Sequence, residues 1–186
     1  MLCLNHKERE RKENAAHKEN TNMKKHMEDI HMKDYEITIK KASEVTIFAT
    51  DNDTLVFPSK VTFESSHDAA EILIDGLENT TIGIPPQADH IELSVENATV
   101  NLKGISYSRI EIDGKGKLRI NTDTLSGNID INMISGEAEL LVPAGAKFST
   151  RSEGKNNTIN CPVPTDPNAQ VTIELNGKNS TLSIRS

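Results

Sequence analysis

The sequence contains no tryptophan, and aromatic residues make up only 3% of its 186 residues. A hydrophobic core must therefore be built from isoleucine, leucine and valine, because large rings are scarce. This composition favours stacked strands over a thick β-sandwich core, which usually contains several large aromatic residues. The same scarcity disfavours enzymes that bind sugars on aromatic platforms.

Cysteine is also scarce. Cys3 and Cys161 form neither a CxxC pair nor the spacing of a zinc site. Cys161 has no histidine close to it in sequence, so we interpret it as a structural thiol rather than a nucleophile. No stretch approaches the roughly 20 apolar residues of a membrane-spanning helix. The opening residues are not typical of a secretory signal, and a cytoplasmic location is the expectation from this absence.

Positive charge and histidine are limited as well. The formal net charge is -7, which disfavours nucleic acid as a partner and predicts repulsion from an anionic membrane. From residue 35 onward, His67 and His90 are the only histidines, which leaves little for a Ser-His-Asp or Cys-His arrangement. No phosphate-binding loop is present. We therefore predict no catalytic, cofactor-binding or metal site and no cofactor.

Residues 1–34 differ in composition from the remainder. They contain eight Lys/Arg and seven Asp/Glu residues, and too few apolar residues to form a buried face. We predict a disordered or weakly helical tail over 1–34 and a folded domain over 35–186. His17, His26 and His31 suggest a metal site, but no two of them are spaced i,i+4 on a helix, and a solvated polar tail is the preferred interpretation.

The folded part alternates between apolar and polar residues in short runs, as in "YEITIK", "HIELSV" and "NIDIN". This alternation is typical of half-buried strands, and turn residues fill the gaps between the runs. The first inward apolar residue of each run recurs every 8 to 11 residues. These positions are Ile82, Ile91, Val100, Ile110, Leu118, Ile129, Ala138, Phe148 and Ile159.

A short step sustained over so many runs is typical of a repeat protein. We predict an all-β fold, a single-stranded right-handed parallel β-helix or solenoid whose coils stack in chain order. The alternative is an antiparallel β-sandwich, which three hairpin-type dipeptides favour. These are Asp75-Gly76, Asp113-Gly114 and Asn176-Gly177.

Within this pattern, residues 125–143 read "LSGNIDINMISGEAELLVP" and contain the same phrase twice, nine residues apart. Ser126-Gly127 and Ser135-Gly136 are each followed by an alternating run, and we interpret both as equivalent corners. The longer stretch 118–159, with the phrase "VPAGAKF", resembles bacterial putative-adhesin domains of unknown function. That resemblance covers about residues 80–160 and implies a right-handed parallel β-helix, often linked to the cell envelope. It implies no shared catalytic residues.

The outward positions of the same runs are rich in acidic residues, and we expect them to face solvent. They include Glu92, Glu111, Asp130, Asn132 and Glu139. The leading functional hypothesis is a non-enzymatic, adhesin-like structural or interaction module that displays a rigid acidic face to a protein or cell-envelope partner.

Two other hypotheses follow from the same pattern. The first is a bactofilin-like scaffold that self-associates through the ends of the solenoid, where Lys178 and Arg185 resemble edge protection. The second, ranked last, is a carbohydrate-active enzyme using Glu111, Asp113 and Asp130. Glycosidases need two carboxyl groups at a defined separation, which the sequence does not provide.

Overall fold

The computed structural model describes residues 23–26 and 32–186, and these residues contain strands but no helix. No helix that could cross a membrane occurs in this described part. The strands are β1 (Met23–His26), β2 (Asp34–Lys40), β3 (Glu44–Ala49), β4 (Leu55–Pro58), β5 (Thr62–Ser66), β6 (Ala69–Asp75), β7 (Asn79–Ile84), β8 (Gln87–Glu96), β9 (Thr99–Lys103), β10 (Ser106–Lys115), β11 (Lys117–Thr122), β12 (Asn128–Ile134), β13 (Glu137–Leu141), β14 (Ser149–Ser152), β15 (Thr158–Asn160), β16 (Thr172–Lys178) and β17 (Thr181–Arg185).

The described strands form two sheets. The nine-strand sheet has the order β1-β4-β7-β3-β9-β11-β13-β17-β15, and the eight-strand sheet has the order β14-β16-β12-β10-β8-β2-β6-β5. From β6 to β17 the chain alternates between the two sheets. Their inner faces share one aliphatic cluster, so the arrangement is sandwich-like.

The predicted single-stranded parallel β-helix is wrong. Its coils would stack in chain order, but β2 lies between β6 and β8, and β16 lies between β12 and β14. Three pairs at one end of the molecule are antiparallel, namely β1–β4, β4–β7 and β5–β6. The period-two pattern fixed which residues point inward, but it carries no information about which strands become neighbours.

The alternative prediction, an antiparallel β-sandwich, agrees with the structure in having two sheets packed around one core. It was wrong about the direction of most strands. Apart from those three antiparallel pairs, the pairs formed by the described strands are parallel. None of the three dipeptides makes a hairpin. Asp75-Gly76 leads from β6 in one sheet to β7 in the other, whereas Asp113-Gly114 and Asn176-Gly177 lie inside β10 and β16.

The core consists mainly of in-register rows of aliphatic side chains. Ile131 of β12 lies between Ile112 of β10 and Leu175 of β16, and all three are almost completely buried. Of the nine inward positions predicted from the spacing, all are buried except Ile159, which is partly buried near the end of its sheet. Each fully buried aliphatic side chain contributes about 1.5–3 kcal/mol relative to exposure.

The repeated Ser-Gly phrase precedes two successive strands, β12 and β13, which belong to opposite sheets. The hydroxyl of Ser126 accepts a hydrogen bond from the Tyr107 amide (2.8 Å) and donates to the Tyr107 carbonyl (3.0 Å). A side chain at Gly127 would collide with two backbone carbonyl oxygens of β10. Glycine is therefore required at this corner because the turn packs directly against the backbone of β10.

Most of the predicted tail lies outside the described residues, including the candidate metal ligands His17 and His31 and the cysteine Cys3. Met23–His26 is described and forms β1, which pairs with β4 at the edge of the nine-strand sheet. The predicted domain boundary at residue 35 falls one residue after the beginning of β2.

Candidate functional site

The outer face of the eight-strand sheet carries one acidic residue on each of seven neighbouring strands, in the same register. We call this feature the carboxylate row. In spatial order from β5 to β16 it consists of Glu64, Glu71, Glu36, Glu92, Glu111, Asp130 and Glu174. Arg151 occupies the corresponding position on the edge strand β14 and terminates the row.

A short sequence motif places six of these carboxylates. In each of six strands an acidic residue lies between two buried residues, so alternation forces it onto the outer face. The six copies are Tyr35-Glu36-Ile37, Ala70-Glu71-Ile72, Ile91-Glu92-Leu93, Ile110-Glu111-Ile112, Ile129-Asp130-Ile131 and Ile173-Glu174-Leu175. The strand pairing then aligns the six motifs.

The spacing within the row is set by the sheet, because neighbouring strands are about 4.8 Å apart. Like charges directly opposite each other on adjacent strands destabilise a sheet. The carboxylates nearest β14 are also partly covered, and the side chains of Asp130 and Glu174 are each only 27% exposed. The arrangement therefore has an electrostatic cost that a random distribution of the same residues would avoid.

Cations offset this cost in the half of the row nearest β14. Arg109 forms ion pairs with Glu111 and, at 3.6 Å, with Asp130. The His90 Nε2 atom lies 3.5 Å from a Glu111 carboxylate oxygen and adds positive charge there only when the ring is protonated. At the end of the row, a guanidinium nitrogen of Arg151 lies 3.8 Å from Glu174.

The other half of the row, formed by Glu64, Glu71, Glu36 and Glu92, has no such compensation. Within the described part of the chain, none of these four carboxylates forms an ion pair. We call them the unpaired segment. Three of them line a shallow groove of about 280 Å³ across β5, β6 and β2, in which Lys40 is the single cationic lining residue.

The three carboxylates suggested for an enzyme, Glu111, Asp113 and Asp130, do lie on one face, as the sequence indicated. Each is held by neighbouring side chains. Asp113 accepts a hydrogen bond from the amide of Asn132 at 2.9 Å, and Asp130 accepts one from Asn176 at 2.6 Å. Arg109 contacts both Glu111 and Asp130. The three carboxylates are therefore part of a surface whose polar side chains are linked by hydrogen bonds and ion pairs.

Two tyrosines lie beneath the eight-strand sheet. The Tyr35 hydroxyl donates to the Met32 carbonyl at 3.0 Å, and the Tyr107 hydroxyl donates to the Thr124 carbonyl at 3.4 Å. Burial raises the pKa of both phenols well above the ordinary value, and the negative charge of Asp53 raises the pKa of Tyr35 further. Both tyrosines therefore remain neutral in the folded protein near neutral pH.

Glu139, which the sequence grouped with Asp130, lies on the outer face of the other sheet. It contacts Arg119 at 2.9 Å and Arg185 at 3.5 Å, while Lys117 lies 3.4 Å from Glu137. Acidic and basic residues are thus neighbours on the nine-strand sheet. The sequence suggested a single acidic face. In the structure Asp130 and Glu139 lie on different sheets, one with a row of carboxylates and the other with acidic and basic residues side by side.

The remaining sequence candidates are not brought together. Cys161 is partly buried, and its thiol donates to the Val163 carbonyl at 3.3 Å. His67 is almost fully exposed beside Asp68. Within residues 23–26 and 32–186, no group of three or more His, Cys, Asp or Glu residues is arranged to hold a metal ion.

Neither a protein-family model nor a curated protein matches this chain. Three solved structures resemble it. A putative cell adhesion protein from Clostridium sporogenes is 12% identical with a TM-score of 0.54, over 88% of this chain and 98% of the other. A putative adhesin from Bacteroides fragilis is 8% identical with a TM-score of 0.38, over 89% and 98% of the two chains. A putative lipid binding protein from Parabacteroides distasonis is 10% identical with a TM-score of 0.25, over 90% and 98%. The likeness to the clostridial protein shows that the two chains share a fold.

Proposed function

We propose that this protein is a non-enzymatic, adhesin-like interaction module of the cell envelope, and that the carboxylate row is its binding surface. The partner would be a protein segment rich in lysine and arginine. The observation that carries the proposal is the unpaired segment, where four carboxylates lie side by side and form no ion pair with any residue that the structure describes.

Electrostatics support a cationic partner. Within the unpaired segment, Glu36 lies between Glu71 and Glu92 on the neighbouring strands, so their repulsion is released when a cation binds. Charged surfaces of this kind mainly increase association rates and select partners of opposite sign. The flat sheet also holds the carboxylates at fixed intervals, which reduces the ordering needed on binding.

The shared fold supports the adhesion part of the proposal. The clostridial structure with this fold is described as a putative cell adhesion protein. Adhesion by such a module requires a rigid face and a partner, and it requires no reacting groups. The rows of aliphatic side chains beneath the carboxylate row supply that rigidity.

The proposal can be tested with a fluorescent octalysine peptide and fluorescence anisotropy. The variant Glu36→Gln/Glu71→Gln/Glu92→Gln should bind it about tenfold more weakly than the wild type, since three surface charge contacts contribute roughly 0.5 kcal/mol each. A matched control, Glu78→Gln/Asp123→Asn/Glu137→Gln, removes the same charge from exposed positions elsewhere. It should bind within about twofold of the wild type.

Equal weakening in the two triple variants would mean that only the net charge matters, and would overturn the assignment of the row. Wild-type binding that does not weaken between low and high salt would also contradict the proposal, because exposed charge contacts are screened by salt. The envelope location is tested separately by fractionating cells that produce the full chain.

A further inference from the structure

Three lysines lie on the same outer face as the carboxylate row. Each follows a carboxylate of the row by four residues on the same strand, so the alternation of side chains places both on one side of the sheet. They are exposed, and we call them the lysine line: Lys40 of β2, Lys115 of β10 and Lys178 of β16. A strand rises about 3.3 Å per residue, so the lysine line runs beside the row at a distance of about 13 Å.

The ammonium groups of the lysine line form no ion pair with any residue that the structure describes. Glu96 of β8 is the register neighbour of Lys115, and Ile134 of β12 is that of Lys178, so the lysines occupy alternate strands. Their strands are therefore about 10 Å apart, which limits the repulsion between the lysines.

A line of shorter polar side chains separates the two charged lines. Its members are register neighbours on five adjacent strands: Thr38, Ser94, Asp113, Asn132 and Asn176. Four of the five are uncharged, and the carboxylate of Asp113 accepts a hydrogen bond from Asn132 at 2.9 Å. Because these side chains are shorter than the lysines and most of the carboxylate side chains that flank them, the face is lower between its two lines of charge.

Two shallow grooves occupy this lower part of the face. The larger, of about 380 Å³, crosses β2, β8, β10 and β12, and Lys40 and Lys115 line it together with polar side chains. The smaller is the groove of about 280 Å³ that three carboxylates of the unpaired segment line. Thr38 and Lys40 line both grooves, so the two grooves meet on β2 and form one continuous groove across the strands.

We propose that this continuous groove binds an extended protein segment in which basic and acidic residues alternate. The segment crosses the strands, with its basic side chains on the carboxylate row and its acidic side chains on the lysine line. The inference rests on the proposed function, because it uses the same binding surface. It narrows the partner from a segment rich in lysine and arginine to one that carries both charges in alternation.

The dimensions and the charges of the face fit such a segment. Successive side chains of an extended chain point to opposite sides, so strict alternation places its two charges on opposite flanks. The row from Glu36 to Glu174 covers five adjacent strands, or about 19 Å, and an extended octapeptide is about 26 Å long. A purely basic segment would instead bring some of its charges near the lysine line, which repels them.

Fluorescence anisotropy at low salt with two octapeptides of equal composition tests the inference. One peptide alternates lysine and glutamate. The other repeats Lys-Lys-Glu-Glu, which places both charges on each flank of an extended chain. The wild type should bind the alternating peptide about fivefold more tightly than the other, because only the alternating peptide matches both charged lines at once.

A variant of the lysine line gives a second measurement. Lys40→Gln/Lys115→Gln/Lys178→Gln should weaken binding of the alternating peptide about tenfold, because three surface contacts between opposite charges are lost. The same variant should bind octalysine at least as tightly as the wild type does, since it removes positive charge from the face.

The matched control is Lys60→Gln/Lys103→Gln/Lys147→Gln, which removes the same charge from exposed positions elsewhere. It should bind the alternating peptide and octalysine within about twofold of the wild type. Circular dichroism and thermal unfolding must first show that both triple variants are folded.

Equal affinity of the wild type for the two octapeptides overturns the inference. A lysine-line variant that binds the alternating peptide as tightly as the wild type does overturns it as well. Either result leaves the proposed function intact when octalysine binding still depends on Glu36, Glu71 and Glu92. Octalysine binding that does not depend on these glutamates contradicts the proposed function, whatever the two octapeptides do.

Discussion

Asp130 and Glu139 occupy central positions on the outer faces of the two sheets, but their neighbours differ. On the nine-strand sheet, Glu139 lies between Arg119 and Ser183 on the adjacent strands. On the eight-strand sheet, Asp130 lies between two further carboxylates, Glu111 and Glu174. Both sheets have mainly parallel strands, so the fold itself does not require a row of like charges. The row is a property of one face, and it is there that we place the binding surface.

The core that supports both faces should be the most sensitive part of the molecule. Ile131→Asp places a carboxylate between Ile112 and Leu175, and we expect a loss of about 4–5 kcal/mol or more, because an unpaired buried charge is not tolerated. That loss is comparable to the whole stability of many domains. Circular dichroism and thermal unfolding measure it. Ile131→Val is the control and should cost about 1 kcal/mol, and a cooperative transition of Ile131→Asp near the wild-type temperature would contradict the expectation.

Alkaline pH should destabilise the protein through the eight-strand sheet, since both tyrosines are buried on its inner face. Burial raises the pKa of Tyr35 and Tyr107 in the folded state above the unfolded value of about 10. Their contribution is therefore fully present below pH ~10 and is lost as the pH rises further, because the unfolded chain releases the proton more readily. Urea unfolding from pH 8 to 11 measures this loss. Tyr35→Phe should be less stable at pH 8 and should lose less stability towards pH 11, whereas an unchanged pH dependence would contradict the assignment.

Neutralising the unpaired segment should stabilise the protein. Glu36→Gln/Glu71→Gln/Glu92→Gln removes several repulsive pairs, each worth about 0.2–1 kcal/mol, so we expect a gain of about 1–2 kcal/mol at low salt. Urea unfolding should be measured with and without about 0.5 M sodium chloride, which is well above physiological ionic strength. The added salt should remove most of this gain in stability, because it screens the repulsion between exposed carboxylates. The triple variant that carries Glu78→Gln, Asp123→Asn and Glu137→Gln is the control. A loss of stability in the first variant would show that the row is structural.

The smallest effect should come from the opposite face. Glu139→Ala removes a carboxylate that contacts Arg119 and Arg185, and we expect it to lower the stability by less than about 1 kcal/mol, because exposed ion pairs contribute little. This change in stability should be a loss, whereas Glu36→Gln/Glu71→Gln/Glu92→Gln should produce a gain. Equal effects of Glu139→Ala and Ile131→Asp on the melting temperature would refute the division into inner and outer positions.

The local pattern was readable from the sequence because alternation reports directly on burial. The runs identified from it are strands in the structure, and of the nine inward positions predicted from the spacing all except Ile159 are buried. The order of the strands was not readable, because a constant step has the same appearance whether or not consecutive strands are neighbours. Tyr35 pairs with Ile91 on one side and with Ala70 on the other, contacts that no local pattern encodes.

The same limit applies to the carboxylate row. Glu92, Glu111 and Asp130 were identified as outward residues, and they are adjacent because β8, β10 and β12 happen to follow chain order. Glu36, Glu71 and Glu174 were missed because β2, β6 and β16 are placed by the rearranged order. A signal for them does exist, since each lies in the same apolar-acid-apolar motif as the other three.

The insertion of β16 and β17 has a consequence for biosynthesis. These strands contain residues 172–185 and leave the ribosome after the other strands of the described part, yet they fill interior positions in both sheets, between β12 and β14 and between β13 and β15. Until they arrive, the nascent chain has a two-layer gap with Ile131 and Leu140 at its wall. Completion of the two sheets is thus delayed until β16 and β17 have been synthesised, and a chain released before that point would offer the gap to proteases and chaperones.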